Sequence, residues 1–190
     1  MQEIFKELLK GHQRTFEKTF QAKELETLDH IARLLLSSLK AGKKILICGN
    51  GGSAADAQHF AAEFVGRFEK ERRSLPALAL TTDTSALTAI ANDYSYDVVF
   101  SRQVEGLANE GDVLIGITTS GNSRNILEAI QTAKAKKVHT VALTGRDGGK
   151  IKDLADCTFI VKSEKTSHIQ EVHIFILHAI AEAVEKVFFD

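Results

Sequence analysis

KILICGNGGSAADAQHFAAEF, residues 44–64, is the stretch on which the fold turns. Four consecutive apolar residues, Ile45 to Cys48, stand where a half-exposed strand would alternate apolar with polar. A strand with that composition is buried on both faces, as in a parallel sheet covered by helices. A glycine-rich turn, Gly49 to Gly52, follows at once, and a helical stretch begins directly after it. Strand, tight turn and helix in so short a span form the first half of a βαβ unit.

The same alternation continues outward. Two amphipathic helices are expected first, at about 2–20 and 23–42. Leu25, Leu28, Ile31, Leu34 and Leu35 give the second its apolar rhythm, and Gly42 stops it. Beyond the quoted segment the pattern predicts a helix over 52–69, a strand at 77–80, a short helix at 84–91 and helix over 97–108. A strand at 112–117, a helix at 123–136 and strands at 139–143 and 157–161 follow, with a weak helix between the last two and one long helix over 167–189. Together these predict a single α/β domain spanning 1–190. Its core, residues 43–161, is a doubly wound, flavodoxin-like parallel sheet, flanked by N-terminal helices (1–42) and a C-terminal helix. Sheets of this kind bind ligands at the C-terminal ends of their strands, which puts loops 49–53, 81–84, 118–123 and 144–149 in contention.

Composition excludes several classes of function. The 190 residues are 44% hydrophobic and 26% charged with a formal net charge of -1, enough for one core and no attraction to nucleic acid or anionic membrane. The basic stretches at 67–73 and 134–137 are short and read as solvated faces. Cys48 and Cys157 lack Cys-x-x-Cys spacing and suit buried thiols of a reducing compartment. Charges interrupt the apolar pattern of the first residues, and no apolar run is long enough to span a bilayer. A cytoplasmic protein is the expectation. Apolar surface on the terminal helices, ending in Phe188 and Phe189, predicts an oligomer.

TTSGNS, residues 118–123, stands between a strand and a helix. Thr118, Thr119, Ser120 and Ser123 offer hydroxyls, Gly121 lets the backbone bend, and the helix N-terminus adds positive potential, a set that suits a phosphate. The alternative, in which Ser123 merely caps the helix, leaves the other three hydroxyls unexplained. Gly49, Gly51 and Ala54 also satisfy a dinucleotide fingerprint, with Asp83 as its ribose acid, but Asp83 comes later than that motif expects.

His59 and Glu63 are four residues apart and so share one helix face. An exposed surface pair is the competing reading. The C-terminal helix is apolar almost all round from Ile174, yet carries Gln170, Glu171, His173 and His178, polar groups that need partners if buried.

GNGGS, QHFAAEF, LTAIANDYSYDVVFSRQV at 87–104, GITTSGNS and HIQEVHIFILH together resemble the sedoheptulose 7-phosphate isomerase (phosphoheptose isomerase) family of sugar-isomerase (SIS) domains, in order and over nearly the whole chain. The resemblance implies conversion of sedoheptulose 7-phosphate to D-glycero-D-manno-heptose 7-phosphate, the first step toward ADP- or GDP-heptose for bacterial surface polysaccharide, in a cytoplasmic homotetramer with active sites between subunits. It implies Glu63 and His178 as the catalytic acid/base pair. Asn50, Gly51, Gly52, Ser53, Glu63, Asn92, Asp93, Thr118, Thr119, Ser120, Ser123 and Gln170 would contact the phosphorylated ketose. His59, Glu63, Gln170 and His178 match the family's zinc site. The chain departs from its relatives at Ser167 and His168. A non-catalytic SIS paralogue that binds the bacterial replication initiator is the alternative; it lacks the catalytic pair that this sequence keeps. A sugar-phosphate-sensing regulatory module and a dinucleotide oxidoreductase are further rivals.

Overall fold

The computed structural model describes residues 1–190. Five strands form one parallel sheet in the order β2-β1-β3-β4-β5: β1 Ile45–Gly49, β2 Ala77–Ala79, β3 Val113–Thr118, β4 His139–Gly145 and β5 Cys157–Val161. The strand order reverses between β1 and β3, where Cys48 pairs with Gly116 and Gly49 with Ile117. A switch point of this kind opens a crevice at the strand ends.

The unpatterned strands bury side chains in both directions. Ile45, Ile47, Val113, Ile115 and Ile117 enter one core with helices α2 (Ala22–Lys40), α3 (Gly52–Val65) and α7 (Thr166–Phe189). Leu46, Cys48, Leu114 and Ala142 enter a second core with α5 (Ser101–Leu107) and α6 (Arg124–Ala135). Helix α4 (Thr84–Asp93) buries no residue fully. Burial lifts the Cys48 thiol to about 12, so it is an inert core group; Cys157 is only half-buried. No helix is long and apolar enough to cross a membrane.

Two predicted elements differ. The helix expected over 52–69 ends at Val65, because Glu185 of α7 accepts hydrogen bonds from the amides of Phe68, Glu69 and Lys70 and draws the chain away. The helix expected over 97–108 is split into a 3₁₀ turn, Tyr96–Val98, and α5. In the turn, Tyr96 donates its hydroxyl to Asn50 at 3.0 Å, a contact that sequence periodicity does not contain.

Helix α1 (Gln2–Thr19) is bound to the body only through its second half, where Thr15 and Thr19 are buried and Phe16 packs on the core. Its first half leaves Ile4, Phe5, Leu8 and Leu9 exposed. Phe188 and Phe189 are instead half-covered by their own chain, beneath the guanidinium groups of Arg72 and Arg73.

Candidate active site

Two groups of polar residues stand out, at opposite ends of α3. The first lies at the C-terminal edge of the sheet. Ser123 precedes α6 but does not cap it; its hydroxyl turns to Thr118 at 2.9 Å. No side chain caps α6; the Ile126 amide donates to the Ser123 carbonyl, and the amides of Arg124 and Asn125 are left for an anion. Ser120 lies 3.5 Å from Thr118 through its hydroxyl and accepts from the Asn122 amide at 3.2 Å, while Thr119 is half-buried. The loop is locked from behind. Gly121 has φ +68, and a Cβ there would lie 2.1 Å from the Gly148 carbonyl oxygen; one on Gly149 would lie 2.5 Å from that of Ser120. Ile151 donates its amide to Gly121 at 3.1 Å, so the β4 loop braces the β3 loop backbone to backbone.

Asn50 is joined to this cradle. Its amide pairs reciprocally with that of Asn125 in α6, both bonds 2.9 Å, and Tyr96 donates to the same oxygen. Asn125 is 3% exposed. Sequence reasoning missed Asn125 and Tyr96, because nothing local links them to Asn50. Gly51, at φ +57, forms the exposed rim, and Ser53 is buried in the first turn of α3. Asn92 and Asp93 are exposed at the end of α4 and bond to each other at 2.9 Å, without a hydrogen bond to the cradle. Asp83 accepts from Ala86 as the N-cap of α4, a structural task that occupies the carboxylate the dinucleotide reading needed.

The second group lies along the seam of α3 and α7, which run side by side in the same direction. Gly52 faces Gln170, His59 faces His178, and Phe68 meets Glu185. His59 Nε2 is 3.2 Å from Glu63 Oε1 and 2.8 Å from His178 Nε2. One ligand-capable atom from each of the three lies within 4.8 Å of the others. Two imidazole nitrogens and a carboxylate facing one point can hold a divalent cation. His59 is 49% and Glu63 17% exposed at the side chain.

Gln170 is placed elsewhere. A Cβ on Gly52 would lie 2.5 Å from Gln170 Nε2, so this glycine exists to admit the amide. Gln170 precedes His178 by eight residues, about 12 Å along the helix axis. The other polar residues of α7 also separate. His173 is a core histidine, fully buried, with Nε2 3.1 Å from the Thr144 carbonyl oxygen, and Glu171 pairs with His12.

Asp56, one turn before His59, was not foreseen. Its Oδ2 is buried without a partner; burial raises its pKa and His59 partly offsets the rise. The available signal in the sequence is its spacing, which sets an acid among alanines on the helix face shared by Gly52, His59 and Glu63.

Comparison with known proteins places the fold. Residues 11–145 match the family model of the SIS domain. The chain is 56% identical over 189 residues to a phosphoheptose isomerase of Nitratiruptor sp., covering 99% of this chain and 100% of that one. Among solved structures it superposes on phosphoheptose isomerase from Neisseria gonorrhoeae with a TM-score of 0.92 and 47% identity, covering 97% of this chain and 98% of that one. The phosphoheptose isomerase from Francisella tularensis gives 0.93 and 35%, covering 97% of each chain. The chain belongs to the phosphoheptose isomerase family of SIS-domain proteins and is a sugar-phosphate isomerase.

Proposed function

We propose that this isomerase converts sedoheptulose 7-phosphate to D-glycero-D-manno-heptose 7-phosphate through an enediol, as the first step toward nucleotide-activated heptose for bacterial surface polysaccharide. The observation that carries the chemistry is the convergence of Glu63 and His178, with His59, on one point. Ketose–aldose isomerisation needs a base at carbon and a second group for the oxygen protons. Glu63 takes a proton from C1, and the C–H electron pair moves to form the enediolate with negative charge on O2. His178 protonates O2 and removes the proton from O1. Glu63 then returns its proton to C2, leaving the aldehyde at C1. Oε1 of Glu63 is the atom turned toward His59, so Oε2 is the free acceptor. The hydroxyls and amides of residues 118–123 hold the phosphate, and Asn50, held by Asn125 and Tyr96, sets the wall beside the sugar.

His59, Glu63 and His178 suit zinc by donor type, with Gln170 of another chain as a fourth ligand; with zinc held there, Glu63 and His178 would serve as ligands in place of the free base and acid. A bound zinc would polarise the carbonyl and stabilise negative charge on oxygen.

The site is completed between subunits of a cytoplasmic homotetramer. Glu63 follows Gly52 by eleven residues, about 16 Å along α3. Its neighbour Phe64 accepts from the Leu75 amide, and Pro76 accepts from Ile45, so Glu63 lies at the edge where β1 and β2 begin. The phosphate cradle lies where the strands end. Side chains lean back toward a helix N-terminus, which shortens the gap without closing it for one sugar phosphate. Half-exposed His59 and the free apolar stripe of α1 are the surfaces such an assembly would cover.

Turnover of a panel of ketose phosphates, followed by NMR with and without chelator, tests this reading. The seven-carbon substrate should give the highest kcat/KM. Preference for a five- or six-carbon ketose phosphate would overturn the substrate assignment.

A further inference from the structure

The inner side of α1 and the loops after β4 and β5 enclose a second cleft of about 560 Å³ that shares no residue with the phosphate cradle at 118–123. Arg14 and Lys18 of α1, Arg146 of the β4 loop, and Lys162 and Lys165 of the β5–α7 loop all line it, against the one carboxylate of Glu164. No apolar side chain does. Lys162 has a distant ion pair with Glu24 at 3.6 Å. Arg14, Lys18, Arg146 and Lys165 make no ion pair within 4.0 Å; the carboxylate of Asp147 feels Arg146 only at longer range. In a chain of net charge -1, so many unpaired cations around one cleft are not explained by composition.

Three further observations point into the same space. The N-terminus of the 24-residue helix α7 opens beside it with Lys165 as N-cap, no side-chain cap and no acid in the first turn. A cation there opposes the helix dipole, so the arrangement is unfavourable until an anion joins it. His168 lines the cleft at 5% exposure; the Thr15 hydroxyl donates to the Gly11 carbonyl and accepts from His168 Nδ1 at 3.0 Å, which leaves Nε2 without a partner in the chain, to take up a proton and become a donor when an anion enters. Arg146 is held in the left-handed region at φ +57, with its amide donated to Ser163 at 3.1 Å, which fixes the point from which its guanidinium starts.

We propose that this cleft is a second anion site for a compact ligand carrying two phosphate groups, separate from the cradle that takes the single phosphate of the substrate. The cradle offers neutral hydroxyls and amides, which suit one phosphate monoester. The cleft offers five cations and a helix terminus, which match more negative charge than one phosphate carries. With no aromatic or apolar wall, a nucleobase would have nothing to stack on. A sugar bisphosphate or inorganic pyrophosphate satisfies both conditions.

Calorimetric titration of the 190-residue protein with fructose 1,6-bisphosphate, pyrophosphate, inorganic phosphate and a nucleoside diphosphate tests the site. The bisphosphate and pyrophosphate should both bind at least tenfold more tightly than inorganic phosphate, and more weakly as salt rises. Whichever of the two binds better reports whether the sugar is also read, and either order supports the site. Arg146→Gly and Lys165→Ser each remove a charge while suiting the local backbone, glycine at positive φ and serine at an N-cap, so both variants keep the fold. Together they should weaken bisphosphate binding tenfold or more, whereas Ser120→Ala in the cradle should leave it unchanged. Absence of binding at millimolar probe, binding untouched by the double substitution, binding lost with Ser120→Ala, or tighter binding of a nucleoside diphosphate would each overturn the proposal.

Discussion

Arg72 and Glu185 form an ion pair of 2.6 Å with each side chain only 3% exposed, joining the far ends of the two helices that carry Glu63 and His178. Burial would raise the Glu185 pKa, but the amides of Lys70, Glu69 and Phe68 and the Arg72 guanidinium outweigh it and bring it to about 2. Arg72 in turn donates to the backbone carbonyls of Glu63 at 2.6 Å and Phe64 at 3.0 Å. The pair therefore fixes the end of α3 against α7. Arg72→Ala or Glu185→Ala should each cost about 3–5 kcal/mol in urea unfolding, since each leaves a buried charge unpaired. The double variant Arg72→Ala/Glu185→Ala should cost clearly less than the sum of the two singles. Additive losses would show that the two side chains act independently.

On the proposed function, the hydroxyl of Ser120 donates directly to the substrate phosphate. Ser120→Ala should raise KM for the phosphorylated sugar about 10- to 100-fold, the worth of one hydrogen bond to a charged group, with a smaller effect on kcat. Gly121→Ala should do more, because its Cβ would meet the Gly148 carbonyl at 2.1 Å and separate the two loops. Unchanged inhibition by inorganic phosphate in both variants would place the phosphate elsewhere.

The parts of this site that are legible in the sequence are those with a local period. Unpatterned apolar runs such as Ile45 to Cys48 specify a buried parallel strand, TTSGNS announces its hydroxyls and its bend, and four-residue spacing sets His59 beside Glu63. Contacts made only by the tertiary fold are silent. Asn50 and Asn125 are 75 residues apart and Arg72 and Glu185 113 apart, and neither pair has a sequence signature. Helix α3 ends at Val65 for the same reason, since its stop signal is a carboxylate on α7. The separation of the cradle from Glu63 by the length of α3 is also invisible until strand order and helix direction are known.

Acid should weaken the fold through His173. Burial pushes its pKa from 6.5 to about 4, partly offset by its bond to the Thr144 carbonyl, so the folded protein holds the ring neutral. The unfolded chain takes up a proton near pH 6.5 that the folded chain refuses until about 4. Stability from this group is therefore complete above that window and is lost as pH falls through it, by about 3 kcal/mol in all. Urea midpoints measured across the window should fall for the native sequence and flatten for His173→Gln. A parallel fall in both would assign the loss to other groups.

If the cradle of one chain serves Glu63 of another, two inactive variants should rescue each other. Chains carrying Gly121→Ala and chains carrying Glu63→Gln, unfolded together and refolded as mixed oligomers, should regain activity that neither homo-oligomer has. Activity no greater than that of the separate variants would mean that each site is built within one chain.

The base assignment is tested most directly by exchange of the substrate's C1 proton with deuterated water, followed by NMR in Glu63→Gln. Glutamine keeps the shape of the side chain and much of its hydrogen bonding but cannot accept the proton. The variant should fold, assemble and bind sugar phosphate while losing both turnover and C1 exchange by about 10²–10⁴-fold, the worth of a positioned acid/base. Lost metal content restored together with activity by excess zinc would make Glu63 a ligand instead. Exchange at the native rate in Glu63→Gln would contradict its role as the base outright.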